Sequence, residues 1–315
     1  MSAAYVLDDS ARRVLDLMAG SGQPPIEALP IADARVAARL GFISMQAPKF
    51  DVHSLRDLTM PGPGGALALR LYRPTDAAVL PALIYFHGGG FAIGDFELYD
   101  AFCRRLAVSA GCAIVAVDYR LGPEHRFPAA AVDAIAATRW IALHAAELGL
   151  DPKRLAVGGD SAGGTLAAVA SLAQRDSGGP ALLHQLLICP LTDWSTQTDS
   201  YQRCRHGYFL TEELMQYFGS HYLAGPDDLA DWRCSPMLAA RHDGLPSATV
   251  LVAGFDPLRD GGEAYAQKLK RAGVATQLIE FRGQFHDFQL IDGLIPEAID
   301  ATEQLARALK RALGA

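Results

Sequence analysis

The chain has 315 residues, about twice the ~150 of an average domain, a length at which one elaborated α/β domain and two smaller domains are both open. Half of the residues are hydrophobic and 20% are charged, enough apolar material for a large core, which excludes disorder as the main state. With 28 Lys and Arg against 35 Asp and Glu the net charge is −7 and no basic run exceeds a pair, so a nucleic-acid partner is not expected.

The five cysteines, Cys103, Cys112, Cys189, Cys204 and Cys234, are odd in number, dispersed and without a Cys-x-x-Cys pair. They fit reduced, mostly buried thiols of a cytoplasmic protein better than a disulfide frame. Residues 1–9 carry no cationic leader, and the longest apolar runs fall far short of the ~18 residues of a membrane span.

In chain order, a helix is expected from about Ser10, where Asp8, Asp9 and Ser10 offer caps ahead of Val14, Leu15, Leu17 and Met18, and it should stop at Gly20-Ser21-Gly22. A second helical stretch, residues 31–40, follows the Pro24-Pro25 break. From Asp51 the period changes to two. Leu55 and Leu58, a turn at residues 61–65, and the alternation of Leu67, Leu69 and Leu71 predict an antiparallel pair with one solvated face. Apolar runs at 82–86, 113–117, 155–157, 186–188, 249–252 and 277–281 then alternate with helical stretches at 98–110, 130–148, 166–174, 264–272 and 296–313. Such alternation predicts an α/β fold, a mostly parallel sheet wrapped by helices on both faces. Residues 194–225, rich in Tyr, Phe and polar side chains, break the rhythm and are expected as an insertion above the sheet.

Gly159-Asp160-Ser161-Ala162-Gly163 lies between a strand ending at Val157 and a helix expected to begin near Thr165. A nucleophilic serine must project from a sharp strand-to-helix turn, and Gly159 and Gly163 supply the small neighbours that such a turn requires. The following helix N-terminus favours a developing oxyanion. No Gly-x-Gly-x-x-Gly or Gly-Lys phosphate loop occurs. His87-Gly88-Gly89-Gly90-Phe91 follows another strand, and its glycines bare backbone N–H donors. His87 itself is expected to fix the loop and not to act as a base.

A triad needs an acid and a histidine after the serine. Asp256, just beyond the strand at 249–252, is preferred to Asp260, which precedes Glu263 by three residues and fits a helix cap. His286 follows the strand at 277–281 across a short loop expected at Arg282-Gly283-Gln284-Phe285. His144 lies in a helical pattern, and His206, His221 and His242 precede Asp256. No metal-ligand spacing stands out among the histidines or cysteines, so no metal or cofactor is expected.

The motifs His87-Gly88-Gly89-Gly90-Phe91, Asp118-Tyr119-Arg120-Leu121-Gly122-Pro123-Glu124-His125, Gly159-Asp160-Ser161-Ala162-Gly163-Gly164, Asp256-Pro257-Leu258-Arg259-Asp260 and His286 with Phe288 together resemble the hormone-sensitive-lipase-like family of bacterial carboxylesterases. The resemblance implies an α/β-hydrolase fold with a mainly parallel eight-stranded sheet and a helical cap. It implies Ser161, Asp256 and His286 as the triad, and Gly88, Gly89 and Ala162 as the oxyanion donors. Gly122 stands where the family usually has Ala, and Asp287 where Gly is common. Arg120 and Glu124 are expected to pair with each other as scaffold.

The expected organisation is a catalytic core at 46–193 and 226–315 with a discontinuous cap at 1–45 and 194–225. The expected activity is serine carboxylesterase action on short- to medium-chain esters through an acyl-enzyme. Acyltransfer, amide or lactone cleavage by the same intermediate, and a non-catalytic receptor on the same fold, are the alternatives. Small-molecule esters are the expected partners, and a homo-oligomer is left open.

Overall fold

The computed structural model describes residues 5–194 and 197–315; residues 1–4, 195 and 196, which belong to the expected cap segments, lie outside the described residues. The N-terminal part folds as α1 (Asp9–Gly20) and α2 (Ile31–Met45), followed by the hairpin β1 (Ser54–Gly62) and β2 (Gly65–Arg73). Then come β3 (Leu80–Phe86), α3 (Phe96–Ala110), β4 (Ala113–Asp118), α4 (Ala129–Leu143), β5 (Leu150–Asp160), α5 (Ala162–Asp176) and β6 (His184–Ile188). An irregular stretch holds α6 (Asp199–Cys204) and α7 (Glu212–Tyr222), then two 3₁₀ turns at Pro226–Ala230 and Pro236–Leu238. The chain completes the sheet with β7 (Ser247–Phe255), α8 (Arg259–Arg271), β8 (Thr276–Phe285) and α9 (Pro296–Leu313).

The eight strands lie in the order β1-β2-β4-β3-β5-β6-β7-β8. The β1–β2 and β2–β4 pairs are antiparallel and the rest are parallel. Burial follows position. Every residue of β3 and β6 is buried, because helices cover both faces there. In the peripheral β2, by contrast, Leu67, Leu69 and Leu71 alternate with the more exposed Ala66, Ala68 and Arg70, and only Tyr72 is buried on the other face. The helices α3 and α9 pack on each other, as do α4 and α5, and the two pairs enclose the central strands. All five cysteines are free and buried.

Several elements differ from the sequence expectation. The helix expected to reach residue 148 ends at Leu143, and the chain turns through Gly149, whose φ of +70° is a left-handed conformation that suits glycine. Residues 282–285, expected as a loop, belong to β8. After a register shift past Ala253 the ladder resumes with Phe255 opposite Phe285, and Gly283, Gln284 and Phe285 are all buried although β8 lies at the edge of the sheet. In the irregular stretch, the Thr211 hydroxyl caps α7 by accepting from the Leu214 N–H at 3.2 Å.

The N-terminal helices meet both this stretch and the core. The Tyr217 hydroxyl donates to the Leu29 carbonyl at 2.9 Å, and Phe42 packs edge-on to Phe209 at 5.6 Å. The Asp8 N–H donates to the Gly283 carbonyl at 2.9 Å, and Gln284 Nε2 donates to the Asp8 carboxylate at the same distance, fastening the start of α1 to β8. No helix among the described residues is long and apolar enough to cross a membrane.

Candidate active site

The carboxyl ends of β3, β5, β7 and β8 converge on one crevice, as expected for an open α/β sheet. Ser161 stands between β5 and α5, and the helix starts at Ala162, directly after the serine and not near Thr165. Its φ of 51° and ψ of −118° mark a strained elbow. The Ser161 N–H donates to the Ile188 carbonyl at 2.8 Å, and the Leu191 N–H donates to the Ser161 carbonyl at 3.3 Å, which anchors the turn to β6 and to the segment just beyond that strand. A side chain at Gly163 would run into the Phe86 carbonyl at the end of β3, and one at Gly159 would meet the same oxygen. The two glycines therefore let the elbow press against the strand that launches the 87–91 loop.

The structure brings Ser161, His286 and Asp256 together. His286 Nε2 lies 2.9 Å from Ser161 Oγ and its Nδ1 lies 2.8 Å from Asp256 Oδ2. The Leu258 N–H donates to Asp256 Oδ1 at 2.8 Å and fixes the second oxygen. Asp256 is fully buried and His286 nearly so. Burial would push the imidazole pKa down, but Asp256 and then Asp287 act against it and hold it well above its ordinary value. Asp260 is not the helix cap that the sequence suggests, since Leu258 occupies that position. Asp260 sits in the first turn of α8, where its carboxylate accepts from the Ser200 N–H at 2.8 Å and from Arg259 at 2.6 Å. It makes no contact with His286.

Gly88 requires a correction. Its N–H already donates to Asp160 Oδ1 and to the Tyr99 hydroxyl, both at 3.0 Å, so it is not free to bind an oxyanion. The N–H groups of Gly89, Gly90 and Ala162 donate to no protein acceptor among the described residues. Gly89 and Gly90 have φ of +101° and +60°, which turns the loop and suits glycine. Gly90, the third glycine of the same run, is not among the expected donors, yet its N–H is as open as that of Gly89. His87 is held as a loop-fixing group: it stacks on Tyr119 at 4.4 Å and its Nδ1 meets the Gly88 carbonyl at 2.7 Å.

Asp160 is missed as well. Fully buried beside the nucleophile, it accepts from Tyr85 at 2.5 Å and from Tyr99 at 2.7 Å, as well as from Gly88. Burial, reinforced by the nearby Asp287, pushes its carboxyl up to about 8. The one sequence signal for it is a carboxylate inside an otherwise small-residue motif. Arg120 and Glu124 do not pair with each other. Arg120 binds Asp133 at 2.8 Å, while Glu124 binds Arg35 of α2 at 2.6 Å. Arg35 also donates to the Ala92 carbonyl at 2.9 Å and to the Gly122 carbonyl at 2.8 Å, so one guanidinium ties α2 to the glycine loop. Cys189 lies beside the triad, with potential ligand atoms of Cys189, Asp256 and His286 within 4.8 Å of one another. Burial pushes that thiol up to about 12, and the His286 Nδ1 already faces Asp256, so these groups serve each other.

A cavity of about 540 Å³ lies between α7 and the segments that follow β6 and β7, lined by Pro257 and Leu258 just beyond Asp256 but by no member of the triad. Leu191, Trp194, Met215, Gly219, Pro257 and Leu258 are among its lining residues, most of them apolar. Its size lies in the range of small-molecule sites.

Known proteins share this fold. The profile of a family described as the alpha/beta hydrolase fold matches residues 83–290. The chain is 41% identical over 294 residues to the carboxylic ester hydrolase LipN of Mycobacterium tuberculosis, covering 90% of this chain and 78% of that protein. It is 41% identical over 256 residues to an ethyl acetate hydrolase of Pseudomonas putida, covering 79% and 80%. Among solved structures, an ester hydrolase from the metagenome of Lake Arreo superposes with a TM-score of 0.96 at 41% identity, over 98% of this chain and 100% of that one. The hyperthermophilic esterase of the archaeon Pyrobaculum calidifontis gives 0.92 at 38% identity, over 97% and 98%.

Proposed function

The chain belongs to the α/β-hydrolase fold family, and from that premise we propose that its reaction, the hydrolysis of carboxylic esters, runs through an acyl-enzyme on Ser161. The observation that carries the reading is the relay from Ser161 Oγ through both nitrogens of His286 to Asp256, with contacts of 2.9 and 2.8 Å. In this reading His286 takes the serine proton as Oγ attacks the ester carbonyl carbon. Asp256 holds the imidazole ring and balances its positive charge. The oxyanion accepts hydrogen bonds from the N–H groups of Ala162, Gly89 and Gly90, with Gly88 as the support that aims them. The ester C–O bond then breaks, the leaving alkoxide takes the proton from His286, and the acyl group remains on Ser161. A water deprotonated by His286 attacks the acyl carbon, and the carboxylic acid leaves with Ser161 restored.

We assign residues 1–45 and 194–225 to a cap over the catalytic core at 46–193 and 226–315. The contacts of Tyr217 with Leu29 and of Phe42 with Phe209 support one composite cap. A preference for short to medium acyl chains belongs to the same assignment, with the cavity between α7 and Pro257-Leu258, the residues that follow Asp256, as the candidate acyl site. Five buried free thiols support a cytoplasmic location, and the net charge of −7 supports a small-molecule partner over nucleic acid. A homo-oligomer is compatible with this assignment.

The test is Ser161→Ala assayed with p-nitrophenyl esters of increasing acyl length. Turnover should vanish in the variant, and wild-type rates should fall beyond about twelve carbons, more than an ordinary closed pocket holds. Substantial turnover in the variant refutes the nucleophile. Rates that keep rising with chain length refute the pocket assignment. Acyl transfer, amide cleavage and lactone cleavage share the acyl-enzyme, and product analysis with competing alcohols and amides separates them.

A further inference from the structure

The residue after the base is turned toward the chemistry. Asp287 has a φ of +56° and ψ of 25°, a left-handed conformation that is uncommon outside glycine and directs the side chain back along the chain. Its Oδ2 lies 3.2 Å from His286 Nε2, the same nitrogen that meets Ser161 Oγ at 2.9 Å. Its Oδ1 accepts from Gln289 Nε2 at 3.2 Å, and the residue is only 5% exposed. The imidazole therefore has a carboxylate at each nitrogen, Asp256 at Nδ1 and Asp287 at Nε2.

Two carboxylates decide where the proton rests. A neutral imidazole that donates from Nδ1 to Asp256 presents a lone pair at Nε2. A carboxylate oxygen 3.2 Å away presents another, and two acceptors at that distance repel unless a proton lies between them. The proton is best held on the imidazole, where both carboxylates stabilise its charge. The groups facing His286 are Ser161 from the elbow, Asp256 beyond β7, Cys189 beyond β6 and Asp287 itself. Asp160 on β5 and Tyr99 on α3 face Asp287 in turn. Burial raises the last two and Cys189, so at neutral pH they add little charge that would oppose Asp287.

We propose that Asp287 is a positioning residue of the base: it stores a proton on Nε2 of His286 in the resting enzyme and thereby sets the pH at which Ser161 becomes a nucleophile. The inference rests on the hydrolase reading, since His286 must first shed that proton to solvent before it can accept the one from Ser161. Catalysis then switches on as pH rises through the elevated pKa of the imidazole. The carboxylate also stabilises the imidazolium once Ser161 has been deprotonated, so the device exchanges activity in acid for a better-supported charged intermediate.

The experiment is the pH dependence of kcat/KM for wild type, Asp287→Asn and Asp287→Gly with p-nitrophenyl butyrate, read at the isosbestic wavelength of nitrophenol. Both replacements tolerate the left-handed conformation, and a thermal melt confirms that each folds. The acidic limb is expected to move down by about 1–3 pH units in both variants, the effect of removing an opposite charge at this range. On the acidic side of the wild-type limb the variants should then outrun wild type by about tenfold for each pH unit that the limb moves. Limbs that stay at the wild-type position, whether the plateau falls or not, overturn the proposal and leave Asp287 a purely structural residue. If Asp287→Gly fails to fold, the near-isosteric Asp287→Asn carries the same test. Ser161→Ala run alongside separates the two readings: surviving turnover there sinks the hydrolase mechanism, whereas an unmoved limb with an inactive Ser161→Ala sinks only the role of Asp287.

Discussion

Replacing Asp160 with Asn changes one buried group and yields a signed, pH-dependent result. The carboxyl is fully buried and raised to about 8 in the folded protein, against 3.8 for the unperturbed group. Between those values the folded state keeps a proton that the unfolded chain has released. Unfolding stability therefore falls as pH rises, by about 1.4 kcal/mol per pH unit from this group alone. Over the two units from pH 5 to pH 7 that amounts to about 3 kcal/mol. Asparagine cannot ionise and still offers an oxygen to Tyr85 and to the Gly88 N–H, so it mimics the protonated acid. Urea unfolding of both proteins at pH 5, 6 and 7 should show the stability of Asp160→Asn gaining on wild type by about 3 kcal/mol across the series. At pH 7 kcat/KM should change by no more than about threefold, because the Gly88 contact survives and aims the oxyanion loop. A stability difference that stays constant with pH, or that shrinks as pH rises, refutes the argument that Asp160 is a neutral strut. A collapse of kcat at constant stability would instead mean that the ionised form is required.

Two further substitutions test the frame around the nucleophile. Gly163→Ala forces a methyl against the Phe86 carbonyl and to 2.6 Å from the His87 carbonyl, backbone atoms that cannot swing aside, so a loss of about 1–3 kcal/mol together with a lower kcat is expected. A normal melting temperature with normal kcat would show that the elbow has room to spare. Arg35→Ala removes the partner of Glu124 and the donor to the Ala92 and Gly122 carbonyls, so KM should rise more than kcat falls. Stability should drop by only about 1–2 kcal/mol, because the Glu124 end is exposed. Arg35→Lys should not restore KM, since a single ammonium cannot serve acceptors spread around a planar fork, and full rescue by Lys would contradict the geometry.

The parts of this site legible in the sequence are those encoded locally and ordered along the chain. Ser161 announces itself through its flanking glycines, and the apolar runs before Asp256 and His286 put both at strand ends. The hidden parts depend on partners distant in sequence. The Gly88 N–H looks free because its acceptor, Asp160, stands 72 residues away, and no spacing rule reveals which N–H of a glycine run turns inward. Arg120 and Glu124 look like a pair at four residues' separation, yet Asp133 lies 13 residues off on α4 and Arg35 lies 89 residues off on α2. Residues 282–285 resemble a loop by composition, yet Gly283, Gln284 and Phe285 are all buried, and the partner that lets the polar Gln284 be buried, Asp8, stands 276 residues away. Asp287 stands out by its place beside the base, but its orientation comes from one backbone angle.

The clasp between the start of α1 and β8 bears on biosynthesis. Asp8 and its partner Gln284 are separated by 276 residues, so the first helix leaves the ribosome long before the strand that receives it exists. At ordinary elongation rates of about 5–20 residues per second, the wait is roughly 14–55 s. Throughout it, α1, whose Ala11 and Val14 end up buried, lacks β8, one of the elements it packs on. The same stretch of translation delivers His286, so the nascent chain acquires its base and the anchor for its first helix within a few residues of each other, with α9 still to follow.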